Sequence, residues 1–473
     1  MKLKNILLYA ILVLTLFSCK KDIGNYEYTS ISEPTVVNLQ DATFRATVGD
    51  TLTVRPYIDF PGGDAMKDLL FNWEILVTEE TRSDKYEGYP LKIVYNLAPG
   101  LRSAKLTVTN TKTAMKYFIS FKIQGGTQFS LGKTVMSVEN GITKLSFIKP
   151  DNKTVLADLY KSLNGEDLPQ NAVQLFGRPS PYQPTVSEDY WAISSDPTQK
   201  SVIIDGNTML RKRYFPEHFF NPPATMIPER FESAKGFATG IINGKLYIAV
   251  TSTAPFAPDY GKFSNPQAGD YTLSKFYSNT PQFYFGFDKK STGFVSFNSG
   301  GDYSGANYTV TGDAFDPKKI GMTDLIYMKA VPGTSYAFFK DAAGALYELS
   351  FGIDMNDYIN KKLITPKYKR LFRGASLIQP DTKWQKSLAD VFYFTSGDKI
   401  YRYNPLNEEI KALDANFGGK KVTMLQLSAD DETITAGVEG AVFTLDVSTG
   451  LNGVITNIVN GIPGSPIDIV IKK

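Results

Sequence analysis

Apolar and polar positions alternate with a period of two over most of this chain, the pattern of half-buried β-strands. Thr51-Leu52-Thr53-Val54 follows a Val48-Gly49-Asp50 turn, and Leu70-Phe71-Asn72-Trp73-Glu74-Ile75 is a second alternating run that points Trp73 into a core. Pro99-Gly100 turns the chain toward Ala104-Lys105-Leu106-Thr107-Val108-Thr109, and Tyr117-Phe118-Ile119-Ser120-Phe121-Lys122-Ile123 closes the set. Residues 30–125 therefore predict an immunoglobulin-like β-sandwich with no Cys pair to staple it. Gly125-Gly126 marks the expected boundary.

Beyond it the alternation recurs in units. Each opens with a turn residue, usually Gly, followed by an apolar and often aromatic pair: Gly141-Ile142-Thr143-Lys144-Leu145, Gly244-Lys245-Leu246-Tyr247, Gly344-Ala345-Leu346-Tyr347, Asp398-Lys399-Ile400-Tyr401 and Gly440-Ala441-Val442-Phe443. Weaker copies fall at Asp205-Gly206-Asn207 and at Phe285 through Phe297. Seven units over residues 126–473 give about 50 residues each, close to the length of known propeller blades. Such units bury their faces against neighbours until a ring closes. The predicted fold is all-β: a sandwich followed by a β-propeller of seven blades, with six or eight as alternatives.

One segment breaks the alternation. Lys2 and Lys4 precede an apolar run from Ile6 to Phe17, then Ser18 and Cys19, the one Cys in 473 residues. A bilayer span needs about 20 apolar residues, and this run is shorter. A basic start, a short apolar run and a small residue before a lone Cys predict a lipoprotein leader over residues 1–18, cleavage before Cys19 and acylation of its thiol and new amine, with residues 19–29 as tether. A thiol kept only at the processing site also suits export to an oxidising compartment.

Composition adds little chemistry. The chain carries 51 Lys and Arg against 48 Asp and Glu, a balance that gives no bulk field for nucleic acid. Its 27 Tyr and 31 Phe reinforce the β reading.

After Cys19 the chain continues Lys20-Lys21-Asp22-Ile23-Gly24-Asn25-Tyr26-Glu27-Tyr28. Asp22, Gly24, Asn25, Tyr26 and Tyr28 resemble the mature start of the PKD-like lipoproteins of Bacteroidota, and the buried-Trp strand, Pro-Gly turn and Leu-Thr-Val-Thr strand are similar to PKD domains. The resemblance implies a PKD-type sandwich joined to a propeller-like region. It also implies an outer-membrane setting beside TonB-dependent transporters and their glycan-binding lipoproteins. Lys20 and Lys21 replace an aromatic and an acid common there, so the side of the membrane is left open. Tyr26 and Tyr28 also read as alternate residues of a first strand.

No motif for catalysis, cofactor or metal emerges. The one His, His218, has no second His or free Cys to complete a ligand set, and no Gly-x-Ser-x-Gly elbow presents a nucleophile. Asp302, Asp313, Asp316 and Asp324 are the densest acids of the repeat region and read as turn residues. Two long insertions draw attention instead, since binding residues concentrate on loops. Arg211 to Phe231 contributes Tyr214 and Phe215; the segment from Ala254 contributes Phe256, Asp259, Tyr260, Phe263 and Tyr271. Aromatic faces there would stack on sugar rings, with Asp259, Asn265, Gln267 and Asp270 bonding hydroxyls. The same residues suit a protein-docking patch or a cap folded onto the rim. Three functional readings result: a non-catalytic lipoprotein accessory to glycan capture, membrane-bound through Cys19; a scaffold that contacts only protein; and a glycoside hydrolase or lyase using carboxylates.

Overall fold

The computed structural model describes residues 33–179, 187–234, 237–251, 259–356 and 361–472. The chain divides into two units, Met1–Gly125 and Gly126–Lys473. Among the described residues no helix is long and apolar enough to cross a membrane.

The first unit is a β-sandwich. A five-stranded sheet runs in the order Thr43–Thr47, Lys116–Gly126, Gly100–Asn110, Leu69–Val77, Arg82–Glu87; Thr51–Val54 pairs with Leu91–Val94, and Thr35–Val37 with Tyr57–Asp59. Strict alternation along Leu69–Val77 buries Leu69, Phe71, Trp73, Ile75 and Val77 on one face. Trp73 meets the edge of Phe121 at 5.8 Å, and its indole N–H donates to Gly88 O at 2.7 Å, so the ring is packed and its polar atom satisfied. The strand expected to begin at Ala104 starts at Gly100, which brings Arg102 onto the core face. There its guanidinium is held by Glu79 at 2.8 Å and by Ala98 O at 2.8 Å. At the divide Gly125 is required by packing: a Cβ there would lie 2.3 Å from the Tyr95 hydroxyl.

The second unit is a β-propeller, with seven sheets among its described residues. From the inside outward, blade 2 is Ala172–Pro179, Ser187–Ser194, Val202–Asp205, Arg211–Tyr214, and blades 4, 6 and 7 repeat this four-strand plan from inner strands Leu273–Asn279, Trp384–Lys386 and Val422–Leu427. Blade 5, with inner strand Asp324–Lys329, gains a fifth strand, Thr309–Val310, which pairs parallel at its edge. Among the described residues blade 3 has three strands, Pro228–Ala234, Phe237–Ile242 and Lys245–Ile248.

The turn-led repeats correspond to the hairpins between second and third strands, as at Asn140-Gly141 and Asn243-Gly244, where both residues take positive φ and form a tight hairpin turn. The Asp205 copy is out of phase, because it links the third and fourth strands of blade 2. Local pattern also gave no hint of the closure. The C-terminal strand Ser465–Lys472 pairs antiparallel with Gly132–Glu139 and becomes the inner strand of blade 1, so both ends of the propeller share one sheet. Each blade junction holds its own apolar cluster among the described residues, and these seven cores close the ring.

Candidate functional site

The two aromatic insertions meet at the junction of blades 2 and 3. Phe176, Trp191, Phe215, Phe219, Phe231, Tyr247 and Phe263 form one buried cluster, with Trp191 at its centre: its ring lies 5.2 Å from Phe215, 5.4 Å from Phe231 and 5.9 Å from Phe263. Gly240 makes room, since a Cβ there would sit 2.3 Å from the Phe231 ring. The second insertion is stitched down by its backbone. Val250 N–H donates to Lys262 O, Gly261 N–H to Val250 O, and Phe263 N–H to His218 O, and Phe263 bridges Ala249 beside the third strand of blade 3, after which no fourth occurs among the described residues.

This placement corrects part of the binding reading. Phe215 and Phe263 have no exposed surface, and Tyr271 is 1 % exposed, with its hydroxyl donating to Gln267 O at 2.6 Å and its ring packed on Phe297 and Tyr303. They are core residues, because apolar rings within reach of an open blade face gain more from burial than from solvent. Tyr214 is half-buried: its hydroxyl donates to Glu166 at 3.2 Å and accepts from Arg211 at 2.8 Å, while the Arg211 guanidinium lies 4.3 Å over its ring. Asp259 and Tyr260 remain half-exposed, Asp259 pairing with Lys262 at 2.8 Å. Cys19, Tyr26, Tyr28 and Phe256 lie outside the described residues.

His218 shares the dry cluster. It is 4 % exposed, its ring 5.1 Å from Trp191, and neither ring nitrogen makes a well-formed hydrogen bond. Burial, with Arg178 and Arg213 adding to it, pushes its pKa down to about 3, so the imidazole is neutral at physiological pH and closed off from solvent. The most deeply buried propeller carboxylate, Glu348, is equally committed: Tyr368 donates to it at 2.6 Å, Arg370 at 3.1 Å, and Tyr403 completes the set, tying blade 5 to blade 6. Asp302 and Asp316 bond turn backbone and side chains, the role expected of them.

What the sequence reading missed is the propeller axis. Each blade's inner strand is antiparallel to its second strand, and links return the chain to the same face, so the seven inner strands run in one sense around a central tunnel. Side chains on these strands stitch blade to blade. Gln174 donates to Phe231 O at 2.9 Å and accepts from Phe231 N–H at 2.7 Å; Gln385 donates to Leu425 O at 3.0 Å; Thr423 donates to Pro466 O at 2.6 Å; and Leu175 N–H donates to Asp468 at 2.8 Å.

Charged groups of separated blades lie within electrostatic reach of one another. Asp468 of blade 1 lies in the field of Arg230 of blade 3 and of Lys383, which leads into blade 6; Lys275 of blade 4 lies in the field of Lys383 and Arg230; Tyr327 of blade 5 lies in that of Arg230 and Glu232. Groups on non-adjacent blades reach each other in this way across the axis. Lys275 is exposed and Asp468 half-buried. Burial raises the Asp468 pKa despite its backbone N–H partner and Arg230; burial lowers that of Lys275, and the like charges of Lys383 and Arg230 push the same way. No cluster of three or more His, Cys, Asp or Glu placed to hold a metal occurs among the described residues.

These two units, an immunoglobulin/PKD-like sandwich and a seven-bladed propeller, define the class of protein. The profile of the PKD-like family matches residues 19–171, so it spans the sandwich and stops ahead of blade 2. Among solved structures the chain is similar to a quinonprotein alcohol dehydrogenase-like protein from Bacteroides thetaiotaomicron, at 13 % identity over 93 % of this chain and 99 % of that one, with a TM-score of 0.40. It is also similar to a functionally unknown protein from Desulfotomaculum acetoxidans, at 13 % identity over 72 % of this chain and 99 % of that one, with a TM-score of 0.42. No curated protein matches the sequence.

Proposed function

We propose that this chain is a non-catalytic, lipid-anchored binding protein of the outer membrane, held by acyl chains on Cys19, whose propeller captures carbohydrate for a neighbouring uptake system. The observation that supports this reading is the ring of like-directed inner strands, which brings ammonium, guanidinium and carboxylate groups of separate blades, Arg230, Lys275, Lys383 and Asp468, within electrostatic reach of one another. Such groups recognise hydroxyls and charges; no nucleophile–base pair stands among those described there. The one imidazole, which a base mechanism would want, is neutral and walled in by aromatic rings.

Two measurements test it. Cys19→Ser should move the protein from the membrane fraction to the soluble one; retention in the membrane would remove the anchor from the proposal. A glycan array probed with the full chain should show saturable capture of at least one polysaccharide without turnover. Product release would instead restore the hydrolase or lyase reading.

The protein-scaffold reading has its own observation. A groove of about 270 Å³ between the Thr198–Ser201 turn and the Pro216 to Pro228 segment is lined by Pro197, Pro222, Pro223 and Met226 together with Thr198, Gln199, Lys200 and Ser201, a mixed surface suited to a peptide partner. Pull-down of a transporter complex with no glycan affinity, weakened by Met226→Asp, would favour it.

A further inference from the structure

We propose that the groove between the blade 2 hairpin and the link into blade 3 docks an extended acidic segment of a neighbouring protein, with apolar side chains turned to the link and a carboxylate to Lys200. This names the partner chemistry of the protein-contact reading and rests on it.

Two departures from the blade repeat meet here. Blades 1, 3, 6 and 7 join their second and third strands by a two-residue turn, whereas in blade 2 the last pair is Ala192 with Val202 and residues 193–201 form a loop. The other departure is the long link from Tyr214 to Pro228. Phe219 to Pro228 holds no charged residue, and within it Phe220 is 44 % and Ile227 40 % exposed. Contiguous exposed apolar surface of this kind marks a contact site. The link is firmly held: Asn243 accepts from Ile227 N–H at 2.9 Å and donates to Thr225 O at 2.7 Å, and Phe220 N–H donates to Phe263 O at 2.9 Å. Pro222 and Pro223 stiffen the stretch between these anchors, so the groove is formed in advance and little ordering entropy is lost on binding.

The two walls differ in character. The link contributes Pro216, Pro222, Pro223, Ala224, Met226 and Pro228, all apolar. The hairpin wall is polar beyond Pro197, and most of its groups are engaged. Thr198 Oγ1 donates to Asp196 at 2.6 Å, Gln199 Oε1 accepts from Gln170 N–H at 2.7 Å, and Ser201 Oγ accepts from Ser194 N–H at 2.9 Å. Lys200 is the one charged residue of the lining; its ammonium lies 5.5 Å over the Tyr214 ring, and among the described residues it pairs with no carboxylate. The lining includes no aromatic ring, so a sugar has no face to stack on, and about 270 Å³ is small for an oligosaccharide. Successive side chains of an extended peptide point to opposite sides, so a segment that alternates apolar and acidic residues meets both walls.

The test is selection of random heptapeptides displayed on phage against the full chain in detergent, followed by fluorescence anisotropy of the selected peptide with each variant. Peptides in which Leu, Ile or Met alternates with Asp or Glu should be enriched. Lys200→Ala should weaken the selected peptide about five-fold at low salt. Lys200→Glu should exchange acidic for basic peptides when the selection is repeated. Ala224→Trp fills the groove and should weaken binding about ten-fold or more. Both positions are exposed; a thermal melt of each variant comes first, and Thr198→Trp replaces Ala224→Trp if that variant fails to fold. A selected peptide indifferent to both Lys200 changes, or full affinity with the groove filled, would overturn the proposal. So would self-association that Ala224→Trp abolishes, since the occupant would then be a second copy of the chain. Pull-down of a transporter complex that survives Ala224→Trp would sink the groove and leave the protein-contact reading standing. Selective peptide binding with no transporter retained would uphold the groove and remove the transporter as its partner.

Discussion

The junction of blades 2 and 3 and the axial tunnel are built on the same inner strands and have opposite character. At the junction, rings from Phe176 to Phe263 close around Trp191 and exclude water even from His218. At the axis, solvent reaches Arg230, Lys275, Lys383 and Asp468, and polar side chains join one blade to the next. On the inner strand of blade 3 the two environments are one residue apart: Phe231 is 1 % exposed and faces the junction, while Arg230 and Glu232 on either side face away from it. Aromatic density along a loop therefore marks where this fold keeps its core, and isolated charges on otherwise apolar strands mark where it meets solvent inside.

The contrast can be broken from its dry side first. Phe263→Ala removes a fully buried ring touching Trp191, Phe219 and Phe231, and should cost about 3 to 5 kcal/mol in denaturant unfolding. A cost below about 1 kcal/mol would mean that the insertion is an ornament on the blade and not its missing edge.

His218 gives the next effect, and its sign is set by linkage. Its folded pKa of about 3 lies below its ordinary 6.5, so the unfolded chain binds the extra proton first. The stability contributed by a neutral His218 is whole above pH 6.5 and falls at about 1.4 kcal/mol per unit as pH drops toward 3. His218→Leu should flatten that limb in chemical denaturation at pH 7, 5.5 and 4.5; an unchanged slope would show that water reaches the ring.

Gln174 tests the seam between the two regions. Gln174→Ala orphans both the N–H and C=O of Phe231 in a buried setting, an expected loss of about 2 kcal/mol, whereas Gln385→Ala frees only one carbonyl near the tunnel and should cost about 1. Equal costs would erase the difference in wetness. Lys275→Met has the smallest effect and the opposite sign: relief of its repulsion with Lys383 and Arg230 should raise the thermal midpoint slightly at low salt, a gain that added salt abolishes. A salt-independent loss would identify Lys275 as a packing residue.

The strands of the sandwich, the buried Trp73 and the hairpins at Gly141, Gly244, Gly344, Asp398 and Gly440 were legible because each is a short pattern carried by consecutive residues. The site was not. Phe215, Phe263 and Tyr271 carried the composition of a sugar-binding loop, yet the side chain that needs a partner most is apolar, and the open edge of blade 3 was the nearest cover. Arg230, Lys275, Lys383 and Asp468 stand in separate blades, each an ordinary charge in its own strand. One available signal was a charged residue inside an inner-strand run, as Lys275 in Leu273-Ser274-Lys275-Phe276-Tyr277.

By itself the sequence determined the all-β character, the sandwich with its Trp73 core and the recurrence of a turn-led hairpin, since alternation and turn chemistry act over a few residues. Tertiary structure alone decided the closure by Ser465–Lys472, the burial of the aromatic insertions and the charged mouth of the tunnel. Each of these depends on which surfaces meet when the ring closes, a matter of distances between residues far apart along the chain.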